Sequence, residues 1–277
     1  MVKIVADTTC GLPHEMLQQR GIPLIPQVVI FGEQSFYDND LDTPTFLRKL
    51  EETHGLPKTS APEPVLYDPI FAAAAERGES VVVIAPTASA SGTVRSAQTA
   101  ARSFPDADIH IVDTRTVSCN LGSLVLAAHE MASSGASADE IVDRLHDMIP
   151  RGRLFFLVDT LEYLARGGRI GGAKRLLAEL LEIKPILQIR DGQVEPFEQP
   201  RTKKRAVARL VELASEQCRD VQQPWLSVLQ VEAEDEARLI VEELKSRLPI
   251  AEIPIYQLPP AIVVHSGPRA LGLGFFV

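Results

Sequence analysis

The sequence has little of what marks several common functional classes. Its three cysteines, Cys10, Cys119 and Cys218, are odd in number and far apart. They fit neither a metal-ligand spacing nor a disulfide framework, and they suit a reducing cytoplasm. No apolar run approaches the roughly 18 residues of a membrane span, so at most transient membrane contact is expected. The chain opens directly on a strand-like VKIVA, without the basic, apolar and small-residue succession of a leader. Positive charge is scarce overall: the formal net charge is -9, which argues against general affinity for nucleic acid. Also missing are the Gly-Lys-Ser/Thr of a phosphate-cradling loop and a GxGxxG after a strand. The expectation is a cytoplasmic globular protein that holds no metal and no cofactor of its own.

What the chain does have is a concentration of glycine and arginine. Val158–Ile170, VDTLEYLARGGRI, begins at the end of a buried strand and closes on Arg166-Gly167-Gly168-Arg169, with Gly171-Gly172 just beyond. Glycines let a backbone turn tightly and let another group approach closely, and arginines beside such a turn suit an anion or a partner surface. Taken alone, the same residues also make an ordinary helix C-cap followed by a solvated loop. Charge is polarised around this stretch. Residues 166–205 hold ten Lys/Arg and five Asp/Glu, so the rest of the chain is strongly acidic. Such a window suits an acidic or phosphorylated partner, although a solvated helix face reads the same way.

Apolar strands alternate with helices through the first half: Lys3–Ala6, Val81–Ala85, Ile109–Val112 and Leu154–Val158 are separated by helices such as Val94–Ser103, Val117–Ser133 and Ala138–Met148. Near-continuous apolar strands argue for a parallel sheet covered on both faces. A Pro- and Gly-rich region, about 22–60, carries short β-like runs and a helix Thr43–Thr53 with Thr43 as its cap, and reads as an insertion. A helix is expected over Glu63–Arg77 and another over Lys174–Leu181. Beyond Arg153 the pattern changes to a hairpin around Asp191-Gly192, a helix from Arg201 to Cys218, and strands that include Ala261–His265 and Gly272–Val277. The expected organisation is an N-terminal three-layer α/β/α domain, 1–152, and a C-terminal two-layer α+β domain with a mixed sheet, 153–277.

Three strand ends repeat one theme: Ala6-Asp7-Thr8, Val112-Asp113-Thr114 and Val158-Asp159-Thr160. Each Asp is expected to bond nearby backbone amides, and in open α/β sheets ligands bind beyond the carboxyl ends of the strands. Ser91-Gly92-Thr93 follows a strand and opens a helix, where free amides favour an anion, or where a serine simply caps. Thr59 and Ser60 form a second hydroxyl pair in an expected loop. His265 sits between an apolar run and Gly267-Pro268, where a single histidine is more often structural than a ligand. A Ser91–His265 hydrolase pair is an alternative, but Ser89-Ala90-Ser91-Gly92-Thr93 lacks the first glycine of a nucleophile elbow and no acid is assigned to the histidine.

Together the motifs ADTTCGLP, PKTSAP, SASGT, VDTLEYLARGGRI with IKPILQI and DGQV, PRTKKRA, and HSGPRALG resemble the DegV family in order and spacing. The likeness runs from Lys3 to about Cys218 and resumes at Ala261–Gly274; it is weakest over 219–260. The resemblance implies a two-domain α/β protein that binds one long-chain, palmitate-like fatty acid in an apolar tunnel between the domains. It implies that the carboxylate lies among Thr59, Ser60, Ser91, Gly92 and His265. It further implies that a separate ATP-dependent kinase, related to dihydroxyacetone kinase, phosphorylates that carboxylate, with Arg169 and Arg201 facing the kinase or the acyl phosphate. The chain would then have no catalytic activity alone. The rivals are a serine hydrolase acting on acyl esters and a carrier of another lipid without kinase coupling.

Overall fold

A computed structural model describes residues 1–53, 55–177, 183–218 and 225–277 of the chain. In order, strand β1 (Val2–Asp7), helix α1 (His14–Gln19) and strand β2 (Leu24–Ile25) come first. Strands β3 (Val28–Phe31) and β4 (Gln34–Tyr37), helix α2 (Thr43–Glu52) and strand β5 (Lys58–Ser60) follow. Next are α3 (Asp68–Arg77), β6 (Ser80–Ala85), α4 (Thr93–Ala101), β7 (Ile109–Asp113), α5 (Ser118–Ser133) and α6 (Ala138–Met148). Then come β8 (Gly152–Leu157), α7 (Glu162–Arg166), β9 (Ile186–Arg190), β10 (Gln193–Glu198) and α8 (Lys203–Gln217). Strand β11 (Ser227–Gln230), helix α9 (Glu234–Arg247), strand β12 (Ile255–Gln257), helix α10 (Pro260–Ser266) and strand β13 (Leu271–Phe276) complete the chain.

The first sheet is wholly parallel, in the order β2-β1-β6-β7. Its successive residues face opposite sides and both sides are buried. Ile4, Ala6, Val82 and Ile84 pack with Leu124, Ile141 and Leu145 of α5 and α6. Val5, Val81 and Val83 pack with Tyr67, Phe71 and Ala97 on the other face. This is the expected helix–sheet–helix stack, and it explains why these strands show no polar alternation.

The second sheet is mixed, in the order β10-β9-β8-β13-β11-β12, with only β11 and β12 parallel. One face lays Phe155, Val228, Leu273 and Phe275 against Leu210, Ala214, Ile240 and Leu244 of α8 and α9. On the other, a Cβ at Gly274 would collide with the Asn120 and Cys119 side chains. The bare strand therefore lets the first turn of α5 press against this sheet, and the same helix also packs on β1. A small antiparallel sheet, β4-β3-β5, lies within the expected insertion and contributes Val29 and Phe31 to the core that holds Val263 and Val264 of α10.

The structure corrects several local expectations. Ala261–His265 is part of helix α10 and not a strand. Its β-branched run points to a strand by propensity, but Pro260 at the first turn presets helical φ, and packing decides the rest. Helix α2 is capped by Asp42, whose carboxylate accepts from the Thr45 amide at 2.6 Å, so Thr43 is already inside the helix. The Glu63–Arg77 helix divides into a 3-10 turn at Pro64–Tyr67 and α3, with Pro69 inside the first turn of α3. Gly171–Leu176 is a 3-10 turn, and the remainder of the helix expected there, 178–181, lies outside the described residues.

Candidate functional site

A cavity of about 370 Å³ is lined from the second and third sheets and from the segments that follow β1, β2 and β6 of the first, a size within the range of small-molecule sites. Its walls are mainly apolar: Leu154 and Phe156 from β8, Ile189 from β9, Leu229 from β11, and Ala261 and Ile262 from α10. Because α10 is a helix, Ala261, Ile262 and His265 recur on one face at helical spacing, so one short element supplies both apolar wall and polar head.

The polar lining includes Thr9, Gln27, Thr59, Ser91, Arg169 and His265, with Thr87, Ser89, Ser118, Gln193 and Ser266 elsewhere on the wall. Two hydrogen-bonded relays organise it. In one, Thr59 Oγ1 and His265 Nε2 are 2.7 Å apart. Burial pushes His265 down to about 4, with the charge of Arg169 adding to the effect, so the ring is neutral near pH 7. Its Nδ1 has no hydrogen-bond partner. Gly167 explains how the ring fits: a Cβ there would run into His265 Nδ1. The Arg-Gly-Gly-Arg stretch thus does two things. It ends α7, with Gly168 at φ 72°, and it lays a bare backbone against the histidine. Arg169 then donates to the Gly167 carbonyl at 2.6 Å and to the Ala90 carbonyl at 3.0 Å, tying the histidine side of the site to the serine side.

The second relay runs inward. Ser91 Oγ is 2.8 Å from Thr93 Oγ1. Gln27 Nε2 donates to Thr93 Oγ1 at 2.8 Å and to Asp7 Oδ2 at 2.6 Å, and Thr93 Oγ1 lies 3.3 Å from the same carboxylate oxygen. Asp7 Oδ1 accepts from the Thr9 amide at 2.9 Å and from the Thr9 hydroxyl. Asp7, Gln27 and Thr93 are all buried. Burial pushes Asp7 up to about 6, against the opposing pull of its hydrogen bonds to Thr9, Gln27 and Thr93. A second buried acid, Asp38, accepts the Gln27 amide at 3.1 Å; burial chiefly, with the charge of Asp7 adding, pushes it up to about 7.

Of the residues singled out in the sequence, Thr59, Ser91, Gly92, Arg169 and His265 meet at the cavity. Ser60 does not: it is exposed, and its hydroxyl donates to the Ala61 carbonyl. The reason is local. Thr59 and Ser60 lie on β5, not in a loop, and neighbours on a strand face opposite ways. Arg201 is exposed and away from the lining. Ser91 is not the helix cap, a position taken by Gly92. Asp113 bonds the Ala88 and Arg115 amides as its motif suggested, whereas Asp159 pairs with Arg269 at 3.3 Å. Thr9, Gln27 and Asp38 were not singled out in the sequence; the first closes the ADTT motif, but nothing local marks the other two. The geometry does not assemble a hydrolase pair. His265 Nε2 is engaged by Thr59, Ser91 by Thr93, and no carboxylate among the described residues bonds the histidine. No cluster of metal-ligating side chains occurs among the described residues, and no described helix is long and apolar enough to cross a membrane.

The family model described as "Uncharacterised protein, DegV family" matches residues 1–277. This chain belongs to the DegV family. The match runs through 219–260, where the motif likeness was weakest. A DegV domain-containing protein of Streptomyces coelicolor is 34% identical over 275 residues, covering 98% of this chain and 97% of its own. Among solved DegV structures, a fatty-acid-binding DegV family protein from Thermus thermophilus superposes with a TM-score of 0.91 at 30% identity, covering 99% of each chain. A stearic-acid-binding protein from Eubacterium ventriosum superposes with a TM-score of 0.90 at 26% identity, covering 100% of this chain and 98% of its own.

Proposed function

We propose that the chain binds one long-chain fatty acid, acyl tail in the apolar part of the cavity and carboxylate at the Thr59–Ser91–Gly92–His265 cluster. The observation that carries this reading is a largely apolar cavity into which the Thr59–His265 pair and the Ser91–Thr93 pair bring hydrogen-bonded polar groups, with Arg169 spanning the two sides through the Gly167 and Ala90 carbonyls. Burying about 15 methylenes at about 0.8 kcal/mol each supplies on the order of 12 kcal/mol before entropic costs. The tail therefore retains the ligand, and the polar groups are needed to tolerate and orient a carboxylate that would otherwise be expensive to bury. With Nε2 protonated, His265 donates to Thr59, and the threonine hydroxyl is freed to donate to the ligand. The Gly92 amide at the start of α4 adds a donor where the helix dipole favours an anion.

On this reading the chain is two units, 1–152 and 153–277, that meet at the cavity, and it presents the carboxylate to a separate ATP-dependent kinase related to dihydroxyacetone kinase. Arg169 lies beside the head group, and exposed Arg201 lies within the basic window, suited to that partner or to an acyl phosphate. The first test is mass spectrometry of an organic extract of the purified, denatured protein. One fatty acid per chain is expected; an empty extract with no uptake of added palmitate would remove the function. Arg201→Ala should lower acyl phosphate formation with the kinase while leaving lipid content unchanged, and an empty cavity in that variant would sink its surface role.

A further inference from the structure

We infer that Asp7 is a positioning residue of the head-group site, taking up one proton from solvent when a fatty carboxylate binds and thereby turning the Thr93 and Ser91 hydroxyls toward the ligand. The inference rests on the fatty-acid reading above.

Hydrogen-bond valence carries it. A hydroxyl has one proton to give. With Asp7 ionised, its carboxylate collects protons from Thr9, Gln27 and Thr93. Thr93 has then spent its proton, so at 2.8 Å Ser91 must donate to Thr93, and it shows the cavity only lone pairs. Thr9, whose hydroxyl donates to Asp7 Oδ1, likewise shows lone pairs. That surface repels a carboxylate. A proton on Asp7 Oδ2 reverses the sequence. Asp7 donates to Thr93, Thr93 to Ser91, and Ser91 to the ligand, with Gln27 Nε2 still bridging Asp7 and Thr93. Thr93 Oγ1 then accepts from Asp7 and Gln27 and gives one proton. Ser91 Oγ accepts from the Thr93 hydroxyl and amide and gives one. Every position is filled.

Charge leads the same way. An anion arriving three hydrogen bonds from a buried carboxylate disfavours ionisation of both. Protonating Asp7 keeps one negative charge in the site, and the proton comes from the buffer. The other ionisable groups facing Asp7 are Asp38, Cys10 and Tyr67, with His265 and Arg169 across the cavity. Burial pushes the Cys10 thiol up to about 12 and raises Tyr67, so neither titrates near neutrality. Asp38 touches the Gln27 amide and stands outside the hydroxyl relay.

The test is calorimetry of monomeric laurate binding to the delipidated full chain at pH 7.5, in buffers of different ionisation enthalpy. About one proton is expected per laurate in the wild type, in Asp38→Asn and in His265→Gln, and none in Asp7→Asn. No uptake by the wild type, or undiminished uptake by Asp7→Asn, overturns the inference. Should Asp7→Asn not fold, the wild-type pH profile decides. Affinity should be level below about 6, the value for free Asp7, and fall about tenfold per pH unit above it. A fall that begins near 4 would assign the proton to His265, and a flat profile would assign it to neither; both overturn the role of Asp7. Failure to bind laurate at all would instead refute the lipid-binding reading.

Discussion

The polar end of the cavity is served from two sides by relays built in opposite ways. Thr59 and His265 make one bond between a strand edge and the last turn of a short helix, both side chains part-buried. Ser91, Thr93, Gln27 and Asp7 join three separate segments through bonds of 2.6–2.8 Å, and all but Ser91 are buried. The first relay ends on an imidazole that burial keeps neutral, the second on a carboxyl that burial makes hard to ionise. Damage to the first should therefore show in how a head group is held, and damage to the second in the stability of the whole molecule.

The largest expected effect is one of pH. Asp7 is raised from 3.8 to about 6 by burial, so the folded state binds its proton more tightly than the unfolded chain. Its contribution is fully present below the unfolded value near 3.8 and is lost as pH rises through about 6. The shift corresponds to on the order of 3 kcal/mol. Denaturant unfolding across pH 4–8 should show stability falling through this window in the wild type and falling less in Asp7→Asn. Equal slopes would mean that Asp7 is not the titrating group. Next in size is Thr93→Val, which fills the same space but removes the hydroxyl on which Ser91, Gln27 and Asp7 converge. It should cost about 1–3 kcal/mol, the penalty for stranding buried polar partners. Thr59→Val, on the shorter relay, should cost less than about 1 kcal/mol. A reversed order would break the contrast between the two relays.

The contrast also shows what a sequence discloses. The first sheet was readable because burial on two faces forces continuous apolar strands, and His265 was picked out by its place before Gly267-Pro268. The Asp7 motif was visible too, but only as turn chemistry, which it performs through the Thr9 amide. Its second role needs Gln27 and Thr93, which lie 20 and 86 residues away in the chain and meet it only after folding. No local pattern marks a glutamine as the partner of a buried acid. Helix α10 failed for the opposite reason, since its β-branched residues state a preference that packing between α7 and the small sheet overrides.

A smaller effect separates holding a ligand from aiming it. If the tail supplies most of the affinity, His265→Ala should still copurify with close to one fatty acid per chain, while, under the proposed kinase coupling, phosphorylation of the carboxylate falls more steeply than lipid content. His265→Gln, which keeps a donor for Thr59, should recover part of the loss. Loss of lipid in His265→Ala with phosphorylation of the remainder intact would reverse the roles given to tail and head.

The smallest effect isolates one residue. Thr59 and Ser60 are adjacent hydroxyls in the sequence, yet the pleat of β5 turns only Thr59 toward His265 and leaves Ser60 in solvent. Ser60→Ala removes an exposed hydroxyl whose one bond, 3.3 Å to the neighbouring Ala61 carbonyl, is readily replaced by water. Stability should change by less than about 0.5 kcal/mol, and laurate affinity should stay within twofold of wild type. On the proposed reading Thr59→Val should weaken laurate by more than that, because the substitution removes the hydroxyl that His265 bonds at the head-group site. Equal losses from both substitutions would mean that β5 presents its other face when the ligand is bound, and that the first relay is assembled by the lipid and not before it.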